Sequence, residues 1–494
     1  MSFRRIALST FVLSLLALIC VGGGAARAQH GADWQPPVIL SEDILDDAGE
    51  PADCFRPVAV ADAWGQVHAF WGARTSAGPG VMGNTIYYAR WDEQGWSGPY
   101  DVIFVGESVS RHAVPRVAVD ADGWLHLVWL RGTTLWYSRA SVWEAADPRA
   151  WTQPGLISNG PLATGDHPAA IVTDSAGTLH VLYSLGTEGG TFLHTSSQVG
   201  SVWSAPHLIA KGEAGDQVNL AIDAQDRLHA VYKTKYPDGS SVYYARSDDG
   251  GTTWSDPLLV DESDERYRGG YGPNLSNVIA HRQRVHIVWH GAPRSQRWHQ
   301  WSADAGVTWS EPTQISPDLV FSTNAPSMAF DGSGVLHLVS VGAGLAVGDA
   351  GTAVLHSSWQ GNTWTSLELV STESDERADL AIGNGSSAVV VWDNAVSHGV
   401  ATDRQFSVWA SAKELETSPL PVLPPPSPPA TRVAARTSAA TSTGAPSRTP
   451  PSYTSQDSLE NREIQQSPVT AIAIGALIAG LLAAGVILLR RPWR

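Results

Sequence analysis

Along most of this chain, short apolar runs alternate with polar turns, and the alternation itself repeats. Asn219-Leu-Ala-Ile222 ends at the turn Asp223-Ala-Gln-Asp226, and Arg227 to Tyr232 then alternates away from it. Alternation over four to eight residues, bounded by turn formers, predicts paired β-strands. A third run follows at Val242-Tyr-Tyr-Ala-Arg246, matched by Ile86 to Arg90 and Leu135 to Arg139. A fourth follows Trp254-Ser-Asp-Pro257. The unit has a signature, Asp-x-x-Gly-x-Leu-His-apolar-x-Trp, clearest at Asp120 to Trp129 and at Asp174 to Tyr183. Its histidines are His68, His126, His180, His229, His286 and His337, with Val389 in the seventh slot, at separations of 58, 54, 49, 57, 51 and 52 residues. Such a period, filled with four short strands, predicts an all-β propeller of seven four-stranded blades, or six should the weak fifth or seventh copy be misread.

The outer-strand signal Trp-x-x-Pro stands at Trp96, Trp151, Trp203, Trp254 and Trp309, with a variant at Trp364. A further copy, Trp34-Gln-Pro-Pro37, precedes the first repeat, and the last repeat stops after its third strand, Phe406 to Ala410. The residues after Trp34 are therefore expected to supply the missing outer strand, so that both ends of the propeller share one blade. Asp at the start of each turn caps it through its side chain, and Gly at its fourth position suits the reversal. Ala280 and Gly383 replace that Asp in two copies.

The flanks carry a different pattern. Residues 1–28 read as a secretory signal, with Arg4 and Arg5, an apolar stretch from Ile6 to Val21, and Ala26-Arg27-Ala28 as the cleavage site. Cleavage would remove Cys20 and leave Cys54 alone, so no internal disulfide is expected. Residues 29–416 form the propeller. Residues 417–467, rich in Pro, Ser and Thr, read as a disordered stalk. Val469 to Leu489 holds 21 uncharged residues and Arg490-Arg491-Pro-Trp-Arg494 follows, which predicts a transmembrane helix over 468–489 and a cytoplasmic basic tail over 490–494. The expected topology is an exported head anchored through one C-terminal helix.

Charge narrows the partners. Gln29 to Glu416 carries 22 Lys plus Arg against 45 Asp plus Glu, a net −23. Such a surface repels a phosphate backbone, which excludes nucleic acid as the expected partner. The six repeated histidines occupy the same slot of different blades, too far apart to share an ion. Packing or a hydrogen bond to a neighbouring blade is expected instead, and neither metal nor cofactor is implied.

Two hairpins are more particular. Ser247-Asp-Asp249-Gly-Gly251-Thr-Thr-Trp254 and Ser302-Ala-Asp304-Ala-Gly306-Val-Thr-Trp309 both read Ser-x-Asp-x-Gly-x-Thr-Trp. The hydroxyl and carboxylate can accept N–H groups within the turn, Gly supplies an unusual dihedral, and Trp locks the hairpin down. The pattern resembles the Asp-box, or bacterial neuraminidase repeat, of the sialidase superfamily, over roughly residues 30 to 413. In that family the boxes are structural. The resemblance implies catalysis elsewhere, by three arginines gripping a sugar carboxylate, an Asp acid, and a Tyr nucleophile paired with Glu. Cys54-Phe55-Arg56-Pro57 stands where the first arginine motif belongs but lacks its Ile.

From the residues themselves, the candidate face bears the loops leading from each outer strand to the next inner strand. Those loops contain Arg56, Arg111 with His112, Asp166 with His167, Asp216, Glu376 with Arg377, and the segment Glu265-Arg266-Tyr-Arg268-Gly-Gly-Tyr271. Arg56, Arg111, Arg266, Arg268 and Arg377 are the expected ligand-binding set, because inner-strand starts converge on the channel and guanidinium forks hold carboxylates bidentately. Tyr271 beside Glu265 is the expected nucleophile and base, should the protein be an enzyme. The leading expectation is a surface-tethered head that recognises glycan or protein. The alternatives are an active retaining exo-sialidase and a structural envelope component.

Overall fold

A computed structural model describes residues 29–423 except 31–32, 77–82, 107–112, 159, 164–166, 187–190, 199, 212–214, 216, 237–238, 268–271, 293–295, 317–319, 322–324, 344–351, 373, 375–376 and 398–403. The signal segment, nearly all of the stalk and the apolar segment Val469 to Leu489 lie outside the described residues. Among the described residues no helix is long and apolar enough to cross a membrane.

Seven four-stranded antiparallel blades form, as the period predicts. Their inner strands are Asp53–Ala61, Pro115–Val119, Ala169–Thr173, Gln217–Ile222, Asn274–His281, Ser327–Phe330 and Ala378–Gly383. Each inner strand is followed by its second and third strands, as in blade one at Val67–Arg74 and Thr85–Asp92. Blade seven takes its outer strand from the other end of the propeller: Val38 pairs with Ala410 and Ile39 with Trp409. Ring closure through Trp34 to Ile39 is thus as expected, and it leaves no open stack of sheets. Blade six carries two further short strands: Gln29–His30, parallel to Glu368 and Leu369, and Val320–Phe321, antiparallel to Ala343 and Gly342.

The second strands lie buried on both faces between neighbouring blades, which is why they are near-continuous apolar runs. The fully buried Trp71, Trp129, Trp289 and Trp392 all come from them. Cys54 is buried and free, and burial pushes its thiol up to about 12.

The repeated histidines have a specific task. In blade one His68 Nε2 meets Asp62 of the turn at 3.1 Å, and Nδ1 meets the third-strand Tyr88 hydroxyl at 2.8 Å. His126 does the same with Asp120 and Tyr137, and His229 with Asp223 and Tyr244. In blades three, five and six a histidine replaces the tyrosine: His180 meets His194, His286 meets His299, and His337 meets His356, at 2.9 to 3.1 Å. These bonds run within the blade, not to its neighbour as expected. The reason is that the turn carboxylate and the third strand bracket the imidazole at hydrogen-bond distance. Asp223 also shows the double use of the turn residue, since its Oδ1 accepts from the N–H groups of Gln225 and Arg227.

Both Asp-boxes form as read. The Ser247 hydroxyl donates to Asp249 and accepts the Gly251 N–H, Thr253 donates twice to Asp249, and Trp254 Nε1 donates to the Gly251 carbonyl. Ser302, Asp304, Gly306, Thr308 and Trp309 repeat the pattern. The glycine has a second reason that the hairpin alone does not supply. A Cβ at Gly306 would lie 2.0 Å from the Tyr244 hydroxyl of blade four, and one at Gly251 would lie 2.1 Å from the His194 ring of blade three. Each box therefore presses bare backbone against the neighbouring blade's third-strand ring. Gly306→Ala is expected to cost more than about 2 kcal/mol, from the clash and from its φ of +84° together. Urea unfolding checks this, and a loss below about 1 kcal/mol would contradict the contact.

Beyond Glu416 the chain crosses the turn face. The Leu420 N–H reaches the Asn384 carbonyl in blade seven, and the Leu423 N–H reaches the Ala63 carbonyl in blade one.

Candidate functional site

The inner strands start at one end of the torus, opposite those turns, and there they enclose a cavity of about 290 Å³ lined by residues of all seven blades. Each polar group in it is set by a local feature of its strand. Phe55-Arg56-Pro57 opens blade one, and the register shifts between Phe55 and Val58, forming a bulge. Arg56 takes a left-handed φ of 56°, unusual for a residue with a Cβ. What holds it there is Asp393, from the second strand of blade seven, whose Oδ2 accepts the Arg56 N–H at 2.9 Å. The other oxygen of Asp393 accepts the Arg377 N–H at 2.8 Å. One buried carboxylate thus fixes the backbone of two arginines that lie 321 positions apart in sequence. Burial raises the pKa of Asp393, against the pull of both arginines.

Arg116 enters from the inner strand of blade two and Arg377 from just before that of blade seven. Between them stands His167, just before blade three. Arg116 Nη2 lies 2.6 Å from His167 Nδ1, and Arg377 Nη1 lies 3.4 Å from Nε2. Loss of hydration, and then the charges of Arg116, Arg377 and Arg56, hold the His167 pKa well below its usual value, so the ring is neutral. Deeper in, the walls are stitched from blade to blade. The buried Asp379 accepts the Ala59 N–H at 2.8 Å and the Ser327 hydroxyl. Asn219 donates to Asn277, which donates to the Pro326 carbonyl. Among the described residues the lining thus gathers three arginines and one histidine above a wall whose polar groups are already hydrogen-bonded.

Of the residues expected from sequence, Arg56 and Arg377 line this cavity. Arg266 lies elsewhere, bonded to Asp261 at 2.7 Å and to Asp264 at 2.8 Å beside the outer strand of blade four. Glu265 opens the short 3-10 turn Glu265–Tyr267. Arg111, Arg268 and Tyr271 lie outside the described residues. Among the described residues lining the cavity there is no Tyr and no Glu. The third arginine is Arg116, which the loop-based reading passed over. A signal for it exists: Arg116-Val-Ala-Val119 in blade two parallels Arg56-Pro-Val-Ala-Val60 in blade one, one residue shorter because blade two lacks the bulge.

Residues 65–268 match the family model described as a BNR repeat-like domain, so the chain carries the repeat its Asp-boxes resemble. No curated protein matches the chain by sequence. Among solved structures, similarity extends to an ulvan lyase at 10% identity, covering 76% of this chain and 95% of that one with a TM-score of 0.48. It extends also to the NanB sialidase of Streptococcus pneumoniae at 12% identity, covering 77% and 70% with a TM-score of 0.44. A third is the six-bladed fucose-recognising lectin of Aleuria aurantia, at 12% identity, 65% and 96% coverage, and a TM-score of 0.42.

Proposed function

We propose that this BNR repeat-like propeller is a glycan-recognition head that binds sugars bearing an acidic group at the mouth of its central channel. One observation carries the reading. Arg56, Arg116 and Arg377, from three different blades, line a single cavity in a head of net charge −23. A surface so acidic repels anions at large, so a local gathering of guanidinium groups is where one can be held. Guanidinium groups are matched in shape and charge to a carboxylate or sulfate, and Asp393 fixes the backbone from which the Arg56 and Arg377 side chains project. A cavity of about 290 Å³ suits one terminal sugar. We read the head as displayed outside the cell on the Pro/Ser/Thr stalk, anchored by the C-terminal apolar segment.

The full-length protein in detergent is expected to bind glucuronate- or sialic-acid-terminated glycans, more weakly at higher salt, and to ignore their neutral counterparts. Arg377→Ala is expected to weaken binding by about ten- to a hundredfold, the range for losing a charged hydrogen bond. Equal binding of acidic and neutral sugars would end this reading. The cluster also favours a second reading, retaining exo-sialidase chemistry, in which Tyr271 and Glu265 would act as nucleophile and base. A fluorogenic sialoside separates the two: turnover lost in Arg56→Ala and in Tyr271→Phe supports the enzyme, and binding without turnover supports the recognition head.

A further inference from the structure

At one level of the channel every blade contributes an inner-strand residue that pairs with the same second-strand position, two residues past the repeated histidine slot. Arg116 pairs there with Val128, Asn219 with Val231, Asn277 with Val288, Ser327 with Val339 and Asp379 with Val391. The positions in blades one and three are apolar, and all seven residues line the cavity. Equivalent register gives equivalent direction, so the half-buried Asn219 and Asn277 face the channel as Arg116 does. Their hydrogen bonds admit one polarity. The Leu220 N–H donates to Asn219 Oδ1 at 2.8 Å, and Asn277 Nδ2 donates to the Pro326 carbonyl at 2.8 Å. With both ends fixed by backbone groups, Asn219 Nδ2 donates to Asn277 Oδ1 at 2.7 Å, and neither amide can be turned over. A carboxamide nitrogen carries two hydrogens, and each of these spends one. Among the described residues, one N–H of Asn219 and one of Asn277 are therefore left over, on the wall between blades four and five.

Resting on the anion-binding reading above, we propose that Asn219 and Asn277 are specificity-determining residues, whose remaining N–H groups donate to a neutral oxygen of the bound acidic sugar. Ser327 spends its one hydrogen on Asp379, so the asparagine pair is the neutral donor of this level. Position in the ring selects which oxygen it reads. Arg377, Arg56 and Arg116 come from blades seven, one and two, and in a ring of seven the boundary of blades four and five lies opposite blade one. The local backbone marks the same axis. Among the described inner-strand pairings only those of blades one and five shift register, between Phe55 and Val58 and between Asn274 and Asn277. Such bulges re-aim side chains, and these two stand on opposite sides of the cavity. A pyranose held by its carboxylate at the arginines turns the opposite ring carbon towards the asparagines. In a glucuronide the carboxylate is on C5 and the opposite carbon is C2, so the 2-hydroxyl oxygen is the acceptor.

The test uses the full-length protein in detergent and titration calorimetry with methyl glucuronoside and its 2-deoxy and 4-deoxy forms. Wild type is expected to bind the 2-deoxy sugar about tenfold more weakly than the parent, the range for hydrogen bonds between neutral groups. The 4-deoxy sugar should stay within about threefold of the parent. In Asn219→Leu and Asn277→Leu the 2-deoxy penalty should shrink to within about threefold, while binding of the parent keeps its salt dependence. A merely structural stitch between blades would weaken parent and analogue alike and leave their ratio unchanged. Equal binding of the parent and 2-deoxy sugars by wild type, a larger loss for the 4-deoxy sugar, or a penalty undiminished in both variants would each overturn the role of the pair while leaving the anion site standing. Failure of wild type to bind the parent or any other acidic sugar would remove the anion-binding reading and this role with it. The sugar series on wild type decides the matter even where a leucine variant melts early.

Discussion

Acidification from pH 6.5 towards 3 is expected to unfold this propeller well before its carboxylates titrate. Burial pushes down the pKa of His68, His167, His180, His229 and His299, takes His194, His286 and His290 to about 3, and takes His337 to about 4. Released into an unfolded chain, each returns to an ordinary value near 6.5 and takes up a proton that the folded state refuses. Stability from these groups is therefore complete above about pH 6.5 and falls as pH drops towards the folded values. Each histidine held neutral contributes a slope of about 1.4 kcal/mol per pH unit, and a domain has about 5–15 kcal/mol in total. Three such groups acting together exhaust that within two or three units. Below pH 4 the turn carboxylates Asp120, Asp174 and Asp223, held low by their histidine and N–H partners despite burial, add to the loss. Asp379 and Asp393 are raised by burial and work the other way, but they are fewer.

Tryptophan fluorescence and near-UV circular dichroism should show a cooperative transition between about pH 6 and 4. Native near-UV signal persisting at pH 3 would show that the histidines are not held neutral. The repeat itself supplies the refining variant. Tyr88, Tyr137 and Tyr244 occupy the slot that His194 fills in blade three, so His194→Tyr keeps the ring against the neighbouring Asp-box glycine and removes one titrating group. Its acid midpoint should fall below that of wild type.

Removal of the Asp393 carboxylate is expected to cost about 3–5 kcal/mol, the range for breaking one partner of a buried charged set. Asp393→Ala leaves the N–H groups of Arg56 and Arg377 without their acceptor, and it removes a carboxylate, itself only 1% exposed, that acts electrostatically on both arginines. The left-handed conformation of Arg56 then loses the bond that holds it, so binding of acidic sugar should fall along with stability. Asp393→Asn keeps one acceptor oxygen and the shape, and should retain an intermediate part of both. Urea unfolding and calorimetry on the same preparations check the pair. Unchanged affinity in the Ala variant would show that the arginines are fixed by something other than Asp393.

Much of this protein is legible without coordinates. The turn aspartates, the alternation around them and the Trp-x-x-Pro signals give seven blades, and the stray Trp34 copy gives the closure. These features are local. A strand is set by neighbours one and two positions away, a hairpin by four residues, and an Asp-box by eight. The histidines illustrate the limit of locality, since their partners are six residues back and in the next strand, yet nothing short of the paired register shows that both touch one ring. Arg266 illustrates the opposite case. It stands in a loop rich in candidate chemistry, but Asp261 and Asp264 lie within reach in sequence and engage it.

What the sequence determined by itself is therefore the blade, repeated seven times and joined end to end, because short-range hydrogen bonding and side-chain alternation are sufficient to define it. Which charges meet depends on the closed ring. Arg56 is bonded to a residue 337 positions away and Arg377 faces one 210 positions away. These encounters depend on the ring closing, on a one-residue bulge at Arg56, and on a buried aspartate from the last blade. An arginine earns its place at the channel mouth from that long-range geometry, and no local pattern distinguishes it from one that remains in solvent.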